Sequence, residues 1–185
     1  MEKSDTELIE LVLHSDIAAM EEIYKRYVDN CLKLAFLITK DWSSAEDSVQ
    51  DAFIKAFSRI NTFNNERSFF PWLTKIVVNE ARKSLKKSRK YVELNEDISN
   101  KNSTEFIEDK VSEYEERALI LKQIANLDLK YRLPIALKYY AELSEKEIAN
   151  LLLVPTSTIK SRLYIARQKL KKVLIEMESD FLYER

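Results

Sequence analysis

A basic segment near the carboxyl end of the chain has the composition of a surface that binds a polyanion. Residues 155–172, PTSTIKSRLYIARQKLKK, contain six lysines and arginines and no acid, although the 185-residue chain has a formal net charge of only -1. If the segment is a helix, apolar residues share one side and a second side carries three cations and an aromatic residue: Lys160, Tyr164, Arg167 and Lys171. A solvated surface helix normally mixes both signs of charge, so the pattern favours DNA binding over solubility alone.

A second acid-free cluster lies in the first half of the chain. Residues 81–90, ARKSLKKSRK, place six cations within nine positions. Each cation set against a phosphate releases a counterion, so affinity for DNA should fall steeply with salt. Two separated clusters predict contact with DNA at two places.

The composition excludes several classes of function. The chain has no glycine, one cysteine and one histidine, which removes the glycine-rich loops that hold nucleotide phosphates and the Cys/His sets that hold zinc. We therefore expect no metal, no cofactor and no enzymatic activity. No stretch approaches the roughly 18 consecutive apolar residues of a membrane helix, and the start, MEKSDTELIE, is unlike a signal peptide. The expected location is the cytoplasm.

Helices must position both basic clusters. The lack of glycine argues against tight hairpins, and apolar residues recur at steps of three and four rather than two. One such stripe predicts a helix over about 16–39: Ile17, Met20, Tyr24, Tyr27, Cys31, Leu34 and Ile38. A short helix should precede it, and two long helices should follow, one opened by a Ser43–Glu46 capping box and one beginning near Ser68 after a loop. Residues 1–90 are thus predicted to form a four-helix domain.

The composition changes after the last of these predicted helices. Residues 91–112, together with the first residues that follow them, are rich in acids and poor in apolar residues, so 91–112 are predicted to be an acidic flexible linker. Residues 113–185 should form a second helical domain. Ser144 and Glu147 again match a capping box, and the helix that they open meets the basic helix through a short turn. This spacing is typical of a helix-turn-helix.

Three segments together resemble the extracytoplasmic-function sigma factors of bacterial RNA polymerase. AEDSVQDAF at 45–53 is similar to the family's polymerase-docking helix, and FFPWLTKIVVN at 69–79 to its promoter-melting and -10 segment. EIANLLLVPTSTIKSRLYIAR at 147–167 is similar to its -35-reading helix-turn-helix. The resemblance implies an all-α fold of two small domains, sigma region 2 at 1–90 and sigma region 4 at 113–185.

The resemblance also implies roles for individual residues. Three match positions that contact the β′ subunit of core polymerase: Asp47, Gln50 and Asp51. Eight match the loop that pockets a flipped -10 base or the helix face beside it: Asn64, Asn65, Arg67, Lys75, Asn79, Arg82, Lys83 and Lys86. Seven match the part that binds the -35 element: Ser157, Thr158, Lys160, Ser161, Arg162, Tyr164 and Arg167. For Trp72, packing is favoured over base stacking.

The function implied is that of an alternative sigma factor. Such a protein binds the β′ and β subunits of core RNA polymerase and directs initiation at promoters with -10 and -35 elements. An anti-sigma factor is the implied regulator. A free-standing helix-turn-helix regulator is the main alternative, although it would not need the segment 45–53. The chain departs from the family's usual pattern in three places: Leu153 and Ser157 stand at usual glycine positions, and Ile165 at a usually basic one.

Overall fold

The computed structural model describes residues 3–94 and 113–183, which contain α-helices and no strand. The chain divides into two compact units, Met1–Thr104 and Glu105–Arg185, called here the amino-terminal and carboxyl-terminal units. The all-helical fold predicted from the sequence is confirmed. In the described residues, no helix combines the length and the apolar character that crossing a membrane requires.

Four helices make up the amino-terminal unit: α1 (Asp5–Leu13), α2 (Ile17–Thr39), α3 (Trp42–Ser58) and α4 (Phe69–Leu94). A single 3-10 turn, Ile60–Thr62, follows α3. Helices α2, α3 and α4 pack on one another, and α1 packs on α2. Fully buried residues from all four helices form one core, among them Leu8, Ile23, Leu37, Ala52 and Leu73. Helix α4 ends four residues inside the predicted linker, and positions 95–112 lie outside the described residues.

The start of α3 corrects the predicted capping box at Ser43 and Glu46. The N-cap is Asp41, whose carboxylate accepts a hydrogen bond from the Ser44 N–H at 2.7 Å. Lys40 ends α2 in the left-handed conformation (φ 61°), so that the chain reverses within two residues and α3 must begin at once. An aspartate in this position accepts from an otherwise unpaired N–H. Ser43 lies inside the first turn of α3 and not at its N-cap.

Two residues of the stripe predicted to be buried on α2 are exposed instead. Ile17 is 79% exposed because it is the first residue of the helix. Tyr24 sets the edge of its ring against Phe53 of α3, with ring centres 4.8 Å apart, and keeps its other side open. The remaining residues of the stripe, including Cys31 and Leu34, are buried or half-buried as expected.

The carboxyl-terminal unit consists of α5 (Glu113–Asn126), α6 (Leu129–Tyr139), α7 (Glu145–Leu152) and α8 (Thr156–Tyr183). Helix α8 contacts each of the other three. The predicted capping box at α7 is present, with Ser144 Oγ accepting from the Glu147 N–H at 3.3 Å and Glu147 accepting from the Ser144 N–H at 2.8 Å. Helices α7 and α8 are joined by only three residues, which gives the predicted helix-turn-helix.

The turn of this helix-turn-helix contains a strained leucine. Leu153 has φ 55° and ψ 46°, and its side chain is 90% exposed. A residue with a Cβ atom is disfavoured in this left-handed region by about 1–2 kcal/mol. The turn therefore has the left-handed geometry for which glycine is usual, although a leucine stands there.

We expect Leu153→Gly to raise the free energy of unfolding of the carboxyl-terminal unit by about 1 kcal/mol. Glycine removes the steric conflict, no packing is lost, and part of the gain is offset by the greater freedom of glycine in the unfolded chain. Urea unfolding followed by circular dichroism measures the change. Leu153→Ala keeps the Cβ atom and serves as the control, with stability close to that of the parent; equal stabilisation by both variants would contradict the strain.

Candidate functional site

Helix α3 presents a polar face that carries the predicted polymerase contacts. Asp47, Gln50 and Asp51 are all exposed. The opposite side of the helix is buried against α2 and α4 through Ala45, Val49, Ala52 and Ala56. Because positions i, i+3 and i+4 lie side by side on a helix, the structure brings the three predicted residues together on one rigid surface.

Ile54 extends this polar face, and the sequence pattern alone was not used to predict its exposure there. Its side chain is 60% exposed and follows Gln50 by four positions and Asp51 by three. The signal was available, because Ile54 does not fall on the buried stripe of α3. An exposed apolar residue beside polar and acidic ones suits a protein–protein contact, in which apolar area is bordered by polar groups.

The loop between α3 and α4 is shaped by Asn64. Its side-chain oxygen accepts a hydrogen bond from the Glu66 N–H at 2.9 Å, and its carbonyl oxygen accepts from the Arg67 N–H at 3.0 Å. Asn64, Asn65 and Arg67 are all exposed. The structure thus brings the three predicted loop residues together in one short turn, in which Asn64 also has a structural part.

An aromatic cluster anchors the two ends of this loop. Phe63, which precedes Asn64, packs its ring 5.5 Å from that of Phe69 and 5.4 Å from that of Trp72. The Phe69 ring also lies 5.8 Å from that of Tyr27 on α2. Trp72 is half-buried and packs against Phe63 and Phe69 within these contacts.

Tyr27 connects the aromatic cluster to α1. Its hydroxyl donates a hydrogen bond to the Asp5 carboxylate, which also pairs with the Arg26 guanidinium at 2.6 Å. Burial, together with the bond to Asp5, raises the pKa of the Tyr27 hydroxyl above its ordinary value. The hydrogen bond from the Tyr27 hydroxyl on α2 to Asp5 on α1 thus joins the two helices.

One face of α4 carries the predicted residues beside the loop, which are four cations and one asparagine. Five positions are exposed there: Lys75, Asn79, Arg82, Lys83 and Lys86. The Lys83 ammonium lies 4.0 Å from the carboxylate of Glu80, which also pairs with Lys55 of α3 at 2.5 Å. Since Glu80 already has the closer partner Lys55, the surface stays positive and Lys83 is only weakly neutralised.

Helix α8 exposes most of the residues predicted to bind the -35 element. Ser157, Lys160, Ser161 and Tyr164 are exposed, and Thr158 and Arg162 are half-buried. These six residues occupy the first turns of the helix after the turn at Leu153. In a helix-turn-helix this is the part of the recognition helix that meets base edges.

Arg167, the seventh predicted residue, is held against α6. Its Nε–H donates to the Tyr139 hydroxyl at 3.1 Å, and its guanidinium carbon lies 5.9 Å from the centre of that ring. This contact with α6 could not be seen in the periodicity of α8, because it depends on which helix packs beside it. Arg167 is exposed on the same side of α8 as Lys160 and Tyr164, and its side chain is directed toward α6.

An apolar groove runs between α5, α6 and the second half of α8. It encloses about 520 Å³ and is lined mainly by aliphatic and aromatic side chains, including Ile120, Ile124, Ile135, Tyr139, Leu170 and Leu174. Arg167 and Lys171 also line it. The sequence showed these residues as stripes of separate helices, but not that the helices leave a space between them.

The fold and the site together define a sigma factor with regions 2 and 4. The sigma-70 region 2 model matches residues 23–91, and the model for sigma-70 region 4 matches residues 117–170. The sequence is 30% identical over 187 residues to the ECF RNA polymerase sigma factor SigW of Bacillus subtilis (strain 168), with 96% of this chain and 100% of that protein covered. It is 28% identical to the RNA polymerase sigma-H factor of Pseudomonas aeruginosa, with 94% and 95% covered.

Two solved structures share the fold. CnrH in complex with the cytosolic domain of CnrY matches with a TM-score of 0.64 at 22% identity, over 94% of this chain and 99% of that chain. The sigma factor RpoE in complex with the anti-sigma factor NepR from Bartonella quintana matches with a TM-score of 0.69 at 22% identity, over 83% and 95%.

The protein belongs to the extracytoplasmic-function sigma factors of bacterial RNA polymerase. It is an alternative sigma factor, which binds RNA polymerase and directs initiation at promoter DNA. The function predicted from the sequence is confirmed, and the free-standing regulator is disfavoured because region 2 is present.

Proposed function

We propose that the two units divide the promoter between them. Residues 1–90 trap the -10 strand, residues 113–185 hold the -35 duplex, and the acidic segment 91–112 joins them. Both units carry an exposed cationic helix face, α4 in the first and the beginning of α8 in the second. The observation that carries the proposal is that the predicted contact residues of α3, α4 and the loop are all exposed, while core residues cover the opposite sides of the helices.

The polar face of α3 is the proposed contact for the β′ subunit. Asp47, Gln50 and Asp51 supply charge and hydrogen-bonding groups, and Ile54 supplies apolar area beside them, one turn further along the helix. Such a mixture suits a contact in which an apolar centre is surrounded by polar groups that set its register. Because α3 is buried along its other side, the face is rigid before binding.

The loop at 64–67 is the proposed pocket rim for a base of the separated -10 strand. The Asn65 amide can pair with a base edge, and the Arg67 guanidinium can hold a phosphate. Asn64 holds the backbone in shape through its bond to Glu66. Unstacking a base costs a few kcal/mol, and a pocket that binds the extruded base offsets this, so strand separation needs no catalysis by the protein.

The apolar groove of the carboxyl-terminal unit is the proposed contact for the β subunit. It offers aliphatic and aromatic surface between α5, α6 and α8, with two cations in its lining. An amphipathic helix with acidic flanks would bury its apolar side there. The groove is lined by residues from Arg167 onward in α8, so the beginning of that helix stays available for DNA.

An anti-sigma factor is the proposed regulator, acting in the cytoplasm where polymerase and promoter are found. Both solved structures are complexes, and in one of them RpoE is bound to the anti-sigma factor NepR. A partner that covers the α3 face or the groove would prevent this protein from joining polymerase. Release of that partner would then permit initiation.

Co-elution with core polymerase tests the proposal. The purified protein and core RNA polymerase are passed through gel filtration together, and the complex is then used to select promoter DNA from a pool randomised around -35 and -10. We expect co-elution and a selected sequence at both elements. A free helix-turn-helix regulator would bind DNA without co-eluting, and a chain that selects only one element would contradict the division between the units.

We expect Lys160→Ala to weaken binding to the selected promoter by about 1–3 kcal/mol and to relax the preference at one -35 position. Lys160 is exposed in the second turn of α8, where a recognition helix meets base edges. The measurement is binding of the holoenzyme to a panel of -35 point mutants at several salt concentrations.

Lys169→Ala is the matched control for Lys160. Lys169 is exposed on the same helix, nine residues further along than Lys160. Its ammonium lies over the Tyr131 ring, 5.7 Å from the ring centre. Lys169→Ala should weaken binding to all -35 sequences alike and reduce the slope of affinity against salt by about one unit, as loss of a phosphate contact does. Equal weakening of every sequence by Lys160→Ala would instead make Lys160 a phosphate contact.

A further inference from the structure

The side of α8 that lies opposite its buried residues is not the side that carries the cationic stripe predicted from the sequence. Ile159, Leu163 and Ala166 are completely buried and mark the side that packs on the unit. With a turn of about 100° per residue, the positions directly opposite them are Ser157, Ser161 and Gln168, all exposed. None of these three residues is charged.

Most of the charged residues of α8 lie on the two flanks of this uncharged line, and the exposed Lys172, four positions beyond Gln168, lies about 30° from it. Arg167 and Lys171 fall on one flank, and Arg162 and Lys169 fall on the other, each about 70–110° from the line. Lys160 lies on the same side as Arg167, but in the second turn of the helix, where a recognition helix still meets base edges. A helix in the major groove has base edges in front of it and a phosphate strand on either side. The order of cation, uncharged line and cation across α8 matches that arrangement.

Two apolar side chains border the uncharged line in its centre. Tyr164 is 64% exposed and Ile165 is 37% exposed, and they lie about 50° to either side of the line. Ile165 follows Ser161 by one turn and is exposed on a helix whose other aliphatic residues up to Ala166 are buried. A β-branched residue has no advantage for helix formation on an exposed surface.

We infer that Ile165 reads the 5-methyl group of a thymine in the -35 element. The thymine methyl is the apolar feature that base edges present in the major groove, and apolar side chains recognise it by contact. An isoleucine in front of the groove, with the neighbouring cations Arg162 and Lys169 to one side, discriminates thymine from cytosine and uracil without a hydrogen bond. The inference rests on the proposed reading of the -35 duplex by α8.

Replacing thymine by deoxyuridine removes this methyl group alone. The holoenzyme formed with core RNA polymerase first selects its -35 element from a randomised pool, and each thymine on either strand is then replaced singly. At one position we expect the parent protein to lose affinity about threefold to fivefold, the equivalent of one buried methyl group. Ile165→Ala should lose this sensitivity and bind thymine and deoxyuridine alike.

Ile165→Val is the matched control, because valine keeps the branched methyl groups and should retain most of the sensitivity. Circular dichroism checks that both variants keep the helical content of the parent. Three outcomes overturn the inference: a selected element without thymine, a parent protein indifferent to every replacement, or an Ile165→Ala variant as sensitive as the parent. Failure to select any -35 sequence would instead contradict the proposed function.

Discussion

Replacing Asp51 by lysine is expected to weaken the binding of core RNA polymerase by at least about tenfold. Asp51 is exposed on α3 beside Asp47 and Gln50, so its carboxylate is available to a basic partner surface. A lysine would set like charges against each other, which costs several kcal/mol at a close contact, and each 1.4 kcal/mol is a factor of ten. Titration of labelled polymerase with the variant measures the affinity.

Glu10→Lys is the control for this charge reversal. Glu10 is exposed on α1, which packs on α2, so it lies outside the polar face of α3, and its reversal makes the same change in net charge. It should leave polymerase affinity within about a factor of two or three, as is usual for a charge outside the contact. If Asp51→Lys binds polymerase as tightly as the parent while keeping its helical content, the α3 face is not the docking surface.

The second large effect is expected from Phe69→Ala, which should lower the free energy of unfolding of the amino-terminal unit by about 3–5 kcal/mol. Phe69 is 1% exposed and packs against Tyr27, Phe63 and Trp72. Removal of its ring leaves a cavity where α2, the start of α4 and the loop at 64–67 meet. Denaturant unfolding is followed by tryptophan fluorescence, because Trp42 and Trp72 both lie in this unit.

Phe69→Leu keeps most of the side-chain volume and should cost less than about 1.5 kcal/mol. At a temperature where the alanine variant is still folded, promoter opening by its holoenzyme should also be slower than that of the leucine variant, since the loop has lost its anchor. The role of the aromatic cluster would be contradicted by an alanine variant as stable as the leucine variant, or by one that opens the promoter at the parent rate.

Much of the fold could be predicted because its signals are local. The periodicity of α2 and of α4 and the capping box at Ser144 depend on residues within one or two turns of each other. The location of α3 was predicted as well, but its start was not. Asp41 caps it because the chain reverses at Lys40, and a reversal at a residue other than glycine is hard to see in a sequence.

The same distinction between local sequence signals and tertiary packing applies to the candidate sites. The sequence by itself determined which residues share a helix face, since a fixed turn of 3.6 residues brings Asp47, Gln50 and Asp51 together wherever α3 lies. Only the tertiary structure decided which faces stay exposed and which side chains meet across helices. It turned Arg167 toward Tyr139, left Ile54 and Ile165 open, and formed the groove between α5, α6 and α8, because these outcomes depend on packing between segments far apart in the chain.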